Sequence, residues 1–271
     1  MVEDMSASDR WVIPASVLRR IPGCAGGEAP PERAAAAWRP QRESQPAHRH
    51  ERGSFHITAA DPGGAETCHR AAAAAAVAPA VLDAAPDGSW ILMDYVEGGM
   101  WTPPRLQAPE DLRTLGACLQ RLHAITPPKG LAPFDPVSIA TGQAQAILER
   151  DPAAAAQVNA LVARTRQFAV DCAAFAVTPV ATHGDLNASN LIGPVPMLVD
   201  WEYAQLADPV YDLACLSVYY PGLRLQGEEL LGTAGITDAN GAVRLRLHVQ
   251  LFDSLYRLWE QAEALRQAYQ L

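Results

Sequence analysis

No lysine precedes Lys129. Any anion met before that point falls to arginine, histidine or backbone N–H groups. Positive charge is scarce throughout, with Lys plus Arg at 21 against Asp plus Glu at 30, a net charge of −9. That balance argues against sequence-independent nucleic-acid binding, which draws on Lys and Arg, and it suits a cationic small-molecule partner. Long apolar runs are also absent. None approaches the ~20 residues needed to cross a bilayer, so no membrane partner is expected, and the alanine tract Ala71 to Ala76 reads as helix. Met1 to Arg10 is polar and acidic, without the basic start and apolar core of a signal peptide. Five cysteines, Cys24, Cys68, Cys118, Cys172 and Cys215, are scattered with no paired metal spacing. They read as thiols in a reducing cytosol, and a cytoplasmic protein is expected. Oligomeric state is left open.

What is present centres on one stretch, Thr182-His183-Gly184-Asp185-Leu186-Asn187-Ala188-Ser189-Asn190-Leu191-Ile192, followed by Met197-Leu198-Val199-Asp200-Trp201-Glu202-Tyr203. Asn190 to Ile192 and Met197 to Val199 read as strands joined by a turn at Gly193 to Pro196. Asp185, Asn190 and Asp200 then lie at the mouth of a small hairpin. Phosphoryl transfer needs such a set. One carboxylate, Asp185, orients or deprotonates an attacking hydroxyl, while the Asn190 amide and the Asp200 carboxylate hold Mg²⁺ against nucleotide phosphates.

The spacing resembles the kinase catalytic loop and its later metal-binding Asp. The Gly after His183 and the Asp200-Trp201-Glu202-Tyr203 wording resemble the aminoglycoside phosphotransferase and choline kinase superfamily, closest to bacterial choline/ethanolamine or thiamine kinases. The likeness is strong over Ala181 to Ala214, fair over Glu66 to Leu122 and poor before Arg52. It implies an α+β, protein-kinase-like two-lobed fold. Residues 1–98 would form a small mixed nucleotide-binding lobe, atypical over 32–52, and residues 99–271 a mainly helical catalytic and substrate lobe. The implied cofactors are ATP and Mg²⁺.

Further residues follow from the same resemblance. Asp94, Tyr95 and Val96 would present backbone groups to an adenine ring, in the strand that links the lobes. Glu66, early in the small-lobe helix, would pair with a basic residue of the strand Gly53 to Thr58. Asp212 would brace the catalytic loop through hydrogen bonds, with His183 supporting it from within. Asp208 reads as a helix cap.

The poor region raises its own expectation. The Gly-rich phosphate loop is not intact, Gly26-Gly27 being a weak substitute, and the phosphate-reaching Lys of the strand is missing near Thr58. A shifted reading frame over Trp38 to His50 would supply a segment resembling the missing one; codons incompatible with that shift would end the idea.

Along the chain, Val12 to Leu18 reads as helix or strand and Glu66 to Ala78 as a helix ended by Pro79. Val81 to Asp83 and Trp90 to Val96 read as a strand pair around the turn Pro86 to Ser89. Pro109 opens a helix with Leu112, Leu115, Leu119 and Leu122 on one face, ending at His123. Gln143 to Arg150 and Ala153 to Phe175 read as further helices, another begins with Ala207 to Ala214, and Leu245 to Ala268 is a long amphipathic one.

On the substrate side, Trp201, Glu202, Tyr203, Tyr219, Tyr220, Tyr256 and Trp259 supply aromatic faces and a carboxylate suited to an amine cation. Glu202 and Trp259 are the candidate binding residues. The reaction expected is ATP-dependent phosphorylation of a small amino alcohol such as choline, ethanolamine or thiamine. Two alternatives stand beside it: an aminoglycoside O-phosphotransferase, and a catalytically impaired kinase-fold binding protein.

Overall fold

The computed structural model describes residues 55–58, 65–84 and 91–268, with backbone alone for 55–58. The readings on Val12 to Leu18, Gly26-Gly27, segment 32–52 and the turn Pro86 to Ser89 lie outside the described residues, and the side chain at the strand position near Thr58 that would carry the basic residue lies outside the described side chains.

Among the described residues the N-terminal part holds a three-stranded antiparallel sheet of order β1-β3-β2, formed by β1 (Phe55–Thr58), β2 (Val81–Ala84) and β3 (Ile91–Asp94). Central β3 buries Ile91, Leu92 and Met93 in succession, as a strand covered on both faces does. Between β1 and β2 lies α1 (Ala65–Ala74). It stops four residues short of the Ala78 expected from sequence. The cause is a left-handed residue, Ala76 at φ 54°. The Val77 N–H reaches the Ala72 carbonyl at 2.9 Å and the Ala76 N–H reaches Ala73 at 3.0 Å, the bond pair of a Schellman cap.

The rest of the chain is mainly helical. A short α2 (Pro103–Gln107) leads into α3 (Pro109–His123), which buries the leucines expected, Leu112, Leu115, Leu119 and Leu122. Next, α4 (Pro136–Leu148) starts seven residues before the expected Gln143. Asp135 caps it, its carboxylate accepting the Ser138 N–H at 3.0 Å and hydroxyl at 2.7 Å, and Pro136 supplies a first residue already set at helical φ. A 3₁₀ turn, Pro152–Ala154, precedes α5 (Ala155–Ala173). Strand β4 (Val180–Thr182) pairs antiparallel with β7 (Gln205–Ala207). The expected hairpin lies between them, β5 (Leu191–Ile192) on β6 (Met197–Leu198), entered through a 3₁₀ turn at Ala188–Asn190. Then come α6 (Val210–Tyr219), starting three residues after the expected Ala207 because β7 takes that position, α7 (Gly227–Thr233) and α8 (Gly241–Ala268). Among the described residues no helix is long and apolar enough to cross a membrane.

Packing holds the hairpin from several sides. The largest core gathers the α3 leucines, Leu213 and Leu216 of α6, and Leu191 and Leu198 of the hairpin. A second core joins α4, α5 and α8 through Ile147, Val158 and Leu258. A third sets Ile91 and Met93 of the sheet against Ile192 and Val199. Backbone bonds run from Trp101 N–H to the Leu191 carbonyl at 2.8 Å and from Leu198 N–H to Val77 at 2.8 Å. The turn carbonyl of Gly193 accepts from the Trp101 indole at 2.8 Å and from Arg105 at 3.1 Å. Arg105 lies over the Trp101 ring at 4.1 Å and pairs with Asp111 at 2.7 Å. Asp208, expected as a helix cap, stands one residue before the N-cap Pro209 of α6; it accepts the Val210 N–H at 3.0 Å and also meets the buried Arg244 of α8 at 2.5 Å. The same guanidinium engages Asp238.

Candidate active site

The loop from His183 to Asn190 connects β4 to the hairpin, and its conformation depends on Gly184. That residue has φ +80°, and a Cβ added there would lie 2.1 Å from the Tyr203 carbonyl oxygen. Glycine between His183 and Asp185 is therefore a steric requirement. His183 is fully buried and donates from Nε2 to the Val199 carbonyl at 2.9 Å. Its Nδ1 is then the acceptor, facing the Asp185 N–H at 3.4 Å. The ring also packs on Trp201, with centroids 4.9 Å apart.

Asp185 is half-buried and both its oxygens are occupied. Oδ2 accepts from the amides of Asn187 at 3.2 Å and Asn190 at 3.1 Å. Oδ1 accepts from the Tyr219 hydroxyl at 2.5 Å. Asn190 is 3% exposed, and its Nδ2 also donates to the Asp185 carbonyl at 2.9 Å. With the amide nitrogen so engaged, Oδ1 of Asn190 is the atom left to accept or to ligate.

Asp212 stands behind the loop, fully buried. Its Oδ1 accepts the Gly184 N–H at 3.0 Å and its Oδ2 the His183 N–H at 3.3 Å. Oδ2 also accepts from His123 Nε2 at 2.9 Å. These bonds tie α6 to the loop backbone, and they give His123, read from sequence as a helix end, a direct polar partner. Charge-assisted bonds of this kind fix a backbone more firmly than neutral ones.

Asp200 follows the hairpin at φ 68°, a conformation that costs a non-glycine residue roughly 1–2 kcal/mol. Burial raises its carboxyl above the usual range; the Asp185 charge adds to the rise, and His183 opposes it. The Asn190 amide oxygen and the Asp200 carboxylate are both hard oxygens, their segments are joined by the Val199 N–H to Asn190 carbonyl bond at 3.1 Å, and the buried Asp200 carboxylate lies in a field that a cation would relieve. Among the described residues no cluster of three or more His, Cys, Asp or Glu could hold a metal. Two protein oxygens suit Mg²⁺, which keeps several waters and takes phosphate oxygens as ligands.

The aromatic residues divide. Trp201 is core, 3% exposed, with its indole bonded to the Leu198 carbonyl at 3.1 Å. Tyr220 supports the loop, its hydroxyl accepting the Ala188 N–H at 2.7 Å. Tyr219, Tyr256 and Trp259 form a continuous row, Tyr219 edge-on to Tyr256 at 5.2 Å and Tyr256 stacked on Trp259 at 5.9 Å. Trp259 is 37% exposed and Tyr203 45%. The Tyr203 phenol is pushed up to about 12 by burial, then by the charges of Glu202, Asp185 and Asp200, against a hydrogen bond with Trp259. Tyr256 is raised by burial and then by Glu260 and Asp185. The row Tyr219, Tyr256 and Trp259 is tied to Asp185 at its inner end by the Tyr219 hydroxyl, and the charges of Glu202, Asp185 and Asp200 all act on the Tyr203 phenol.

Asp94 ends β3 exposed, its N–H bonded to the Ala80 carbonyl at 2.9 Å, with Tyr95 and Val96 half-buried after it. Val96 packs on the hairpin turn, where a Cβ on Gly193 would come within 2.8 Å of its Cγ1. Glu66 pairs with Arg70 one turn along α1 at 2.7 Å; the strand partner expected for it lies outside the described side chains. Sequence reading missed the direct bonds of Asn187 and Tyr219 to Asp185. Asn187 was detectable, since its amide two residues after an aspartate at a loop suits a local side-chain contact. Tyr219 is 34 residues from Asp185 and no local pattern links them.

A sequence model of the phosphotransferase enzyme family matches residues 62–266. No curated protein matches the sequence. Among solved structures, a choline/ethanolamine kinase family protein from Mesorhizobium loti is 21% identical with a TM-score of 0.68, over 93% of this chain and 85% of its own. A choline kinase from Streptococcus pneumoniae is 16% identical at 0.64, over 80% of each chain. An aminoglycoside phosphotransferase from Streptomyces rimosus, solved in complex with ADP and streptomycin, is 22% identical at 0.51, over 74% of this chain and 85% of its own. At these identities the likeness is one of fold: a small strand-containing lobe and a mostly helical remainder.

Proposed function

We propose that this chain, which belongs to the phosphotransferase enzyme family, transfers the γ-phosphoryl group of ATP to a hydroxyl of a small amino alcohol of the choline, ethanolamine or thiamine class. The observation that carries the reading is Asp185, oriented by two amides and by the phenol of Tyr219, which begins the aromatic row through Tyr256 to Trp259. In this reading residues 99–271 form the catalytic and substrate lobe. Residues 1–98 form the nucleotide lobe, with the backbone of Asp94, Tyr95 and Val96 near the adenine and Glu66 on the phosphate side.

Asp185 orients the acceptor hydroxyl and takes its proton as the oxygen attacks the γ-phosphorus. Asn187 and Asn190 fix the carboxylate through Oδ2, and Asp212 fixes the loop backbone. Asn190 and Asp200 would hold Mg²⁺, which when bound neutralises phosphate charge and aligns the phosphates. The cationic nitrogen would lie over Trp259 and Tyr256, with Glu202 adding charge attraction. Rings near a carboxylate favour a compact quaternary or protonated amine; an aminoglycoside, a larger polycation, is the competing acceptor.

The test is phosphorylation of choline, ethanolamine, thiamine and kanamycin by the purified protein with Mg²⁺-ATP. Phosphorylation of one of the first three is expected. Phosphorylation of kanamycin alone would move the assignment to an aminoglycoside acceptor, and Mg²⁺-ATP binding without any transfer would leave a binding module.

A further inference from the structure

We infer that Tyr219 is the acceptor's placeholder on Asp185: its hydroxyl holds Oδ1 until the acceptor alcohol arrives, and so keeps water from being phosphorylated in the acceptor's stead. The inference rests on the function proposed above and deepens it, because it concerns what guards the proposed base.

The geometry separates the two oxygens of Asp185. Oδ2 faces the loop's own amides, Asn187 and Asn190, which belong to the fixed structure of the turn. Oδ1 takes its bond from outside the loop, from Tyr219 at the C-terminal end of α6, at 2.5 Å. Oδ1 is therefore the oxygen that an incoming hydroxyl can reach by exchanging one O–H donor for another. Tyr219 is also the inner end of the aromatic row that runs through Tyr256 to the exposed Trp259. A cation settling on that row leans on the ring whose hydroxyl covers the base. Occupancy of the substrate surface and release of Oδ1 are thus linked through one side chain.

Tyr219 is suited to donating and not to catalysis itself. Burial, followed by the neighbouring Asp185 charge and the bond to it, raises its phenol far above the ordinary range. It stays protonated and does not take the acceptor's proton. Its ring is packed edge-on against Phe252 at 5.5 Å and Tyr256 at 5.2 Å, so removing the hydroxyl alone leaves the packing in place.

The side reaction at stake balances simply. A water oxygen forms a bond to the γ-phosphorus, the bond from that phosphorus to the β,γ-bridging oxygen breaks, and ADP leaves with the electron pair. The water proton passes to Asp185, and ADP and inorganic phosphate result. Acceptor phosphorylation differs only in which oxygen attacks.

The experiment compares wild type and Tyr219→Phe, measuring ADP release with no acceptor and transfer to the acceptor phosphorylated in the screen above, with kcat and KM separated. The inference expects acceptor-independent hydrolysis to rise relative to transfer by roughly tenfold to a hundredfold, the range set by one hydrogen bond to a charged group. It also expects the KM for ATP to stay unchanged. An unaltered ratio of hydrolysis to transfer in Tyr219→Phe, with an active wild type, overturns the placeholder alone. A purely structural role for Tyr219 would lower both rates together and leave the ratio where it was. A folded wild type that turns over neither acceptor nor water overturns the proposed function and the placeholder with it.

Discussion

At Gly184 the loop has no room for a side chain, and the reason is local. The residue has φ +80°, and a Cβ would meet the Tyr203 carbonyl at 2.1 Å, inside any contact distance. Gly184→Ala must therefore rotate the peptide that carries the N–H bonded to Asp212 and that positions Asp185. A displacement of about 1 Å at a reacting group costs on the order of a hundredfold in rate, and the left-handed conformation adds ~1–2 kcal/mol of strain for alanine. Chemical denaturation and steady-state kinetics on Gly184→Ala should show both losses; wild-type stability with wild-type kcat would mean that the loop relaxes freely. The same scale shows what the sequence could disclose. Kinase-like spacing singles out Asp185, Asn190 and Asp200 in the sequence, and Asp212, also singled out there, accepts the N–H groups of His183 and Gly184. Tyr219 and His123 were not legible as their partners, since each meets its aspartate across a large sequence gap, 34 residues to Asp185 and 89 to Asp212.

Among the elements, boundaries were harder to read than existence. The hairpin, α3 and α8 follow from apolar periodicity and turn residues. Helix α4 begins early because its start signal, Asp135 before Pro136 with Ser138 three residues on, outweighs the weaker apolar pattern inside it. Helix α1 stops early for a reason hidden in a run of alanines, since nothing in Ala71 to Ala76 marks which alanine turns left-handed. That residue is Ala76, at φ 54°, in a cap position where glycine is ordinarily found. Ala76→Gly removes the Cβ penalty but loosens the unfolded chain, and the first effect is the larger where φ is positive. A gain of about 1 kcal/mol in unfolding free energy is expected by urea titration; a loss would show that the cap is not held in solution. The Val77 beyond this cap supplies the carbonyl bonded to Leu198 N–H, so the end of α1 is one of the ties that hold the hairpin.

For the whole molecule, the arrangement converges on one hairpin. The sheet reaches it through Ile91 and Met93, the segment after α1 through Val77, and Trp101 together with Arg105 of α2 through the Gly193 carbonyl, while α6 holds the loop that leads into it through Asp212 and Tyr219. Such convergence is how a fold keeps a few oxygen atoms at fixed positions, which phosphoryl transfer requires more than it requires covalent chemistry from the protein. The kinase-like architecture was legible because the motifs that carry it are contiguous in sequence, and the family model matches from residue 62 onward. The claim on which everything else depends is that Asn190 and Asp200 bind metal-bound nucleotide. Calorimetric titration of Mg²⁺-ATP into wild type and Asp200→Asn tests it most directly. The variant removes a carboxylate that burial and Asp185 make unfavourable, so it should fold at least as well as wild type. The account predicts binding by wild type that requires Mg²⁺ and is lost in Asp200→Asn. Equal binding by both proteins, or no binding by a folded wild type, would contradict it.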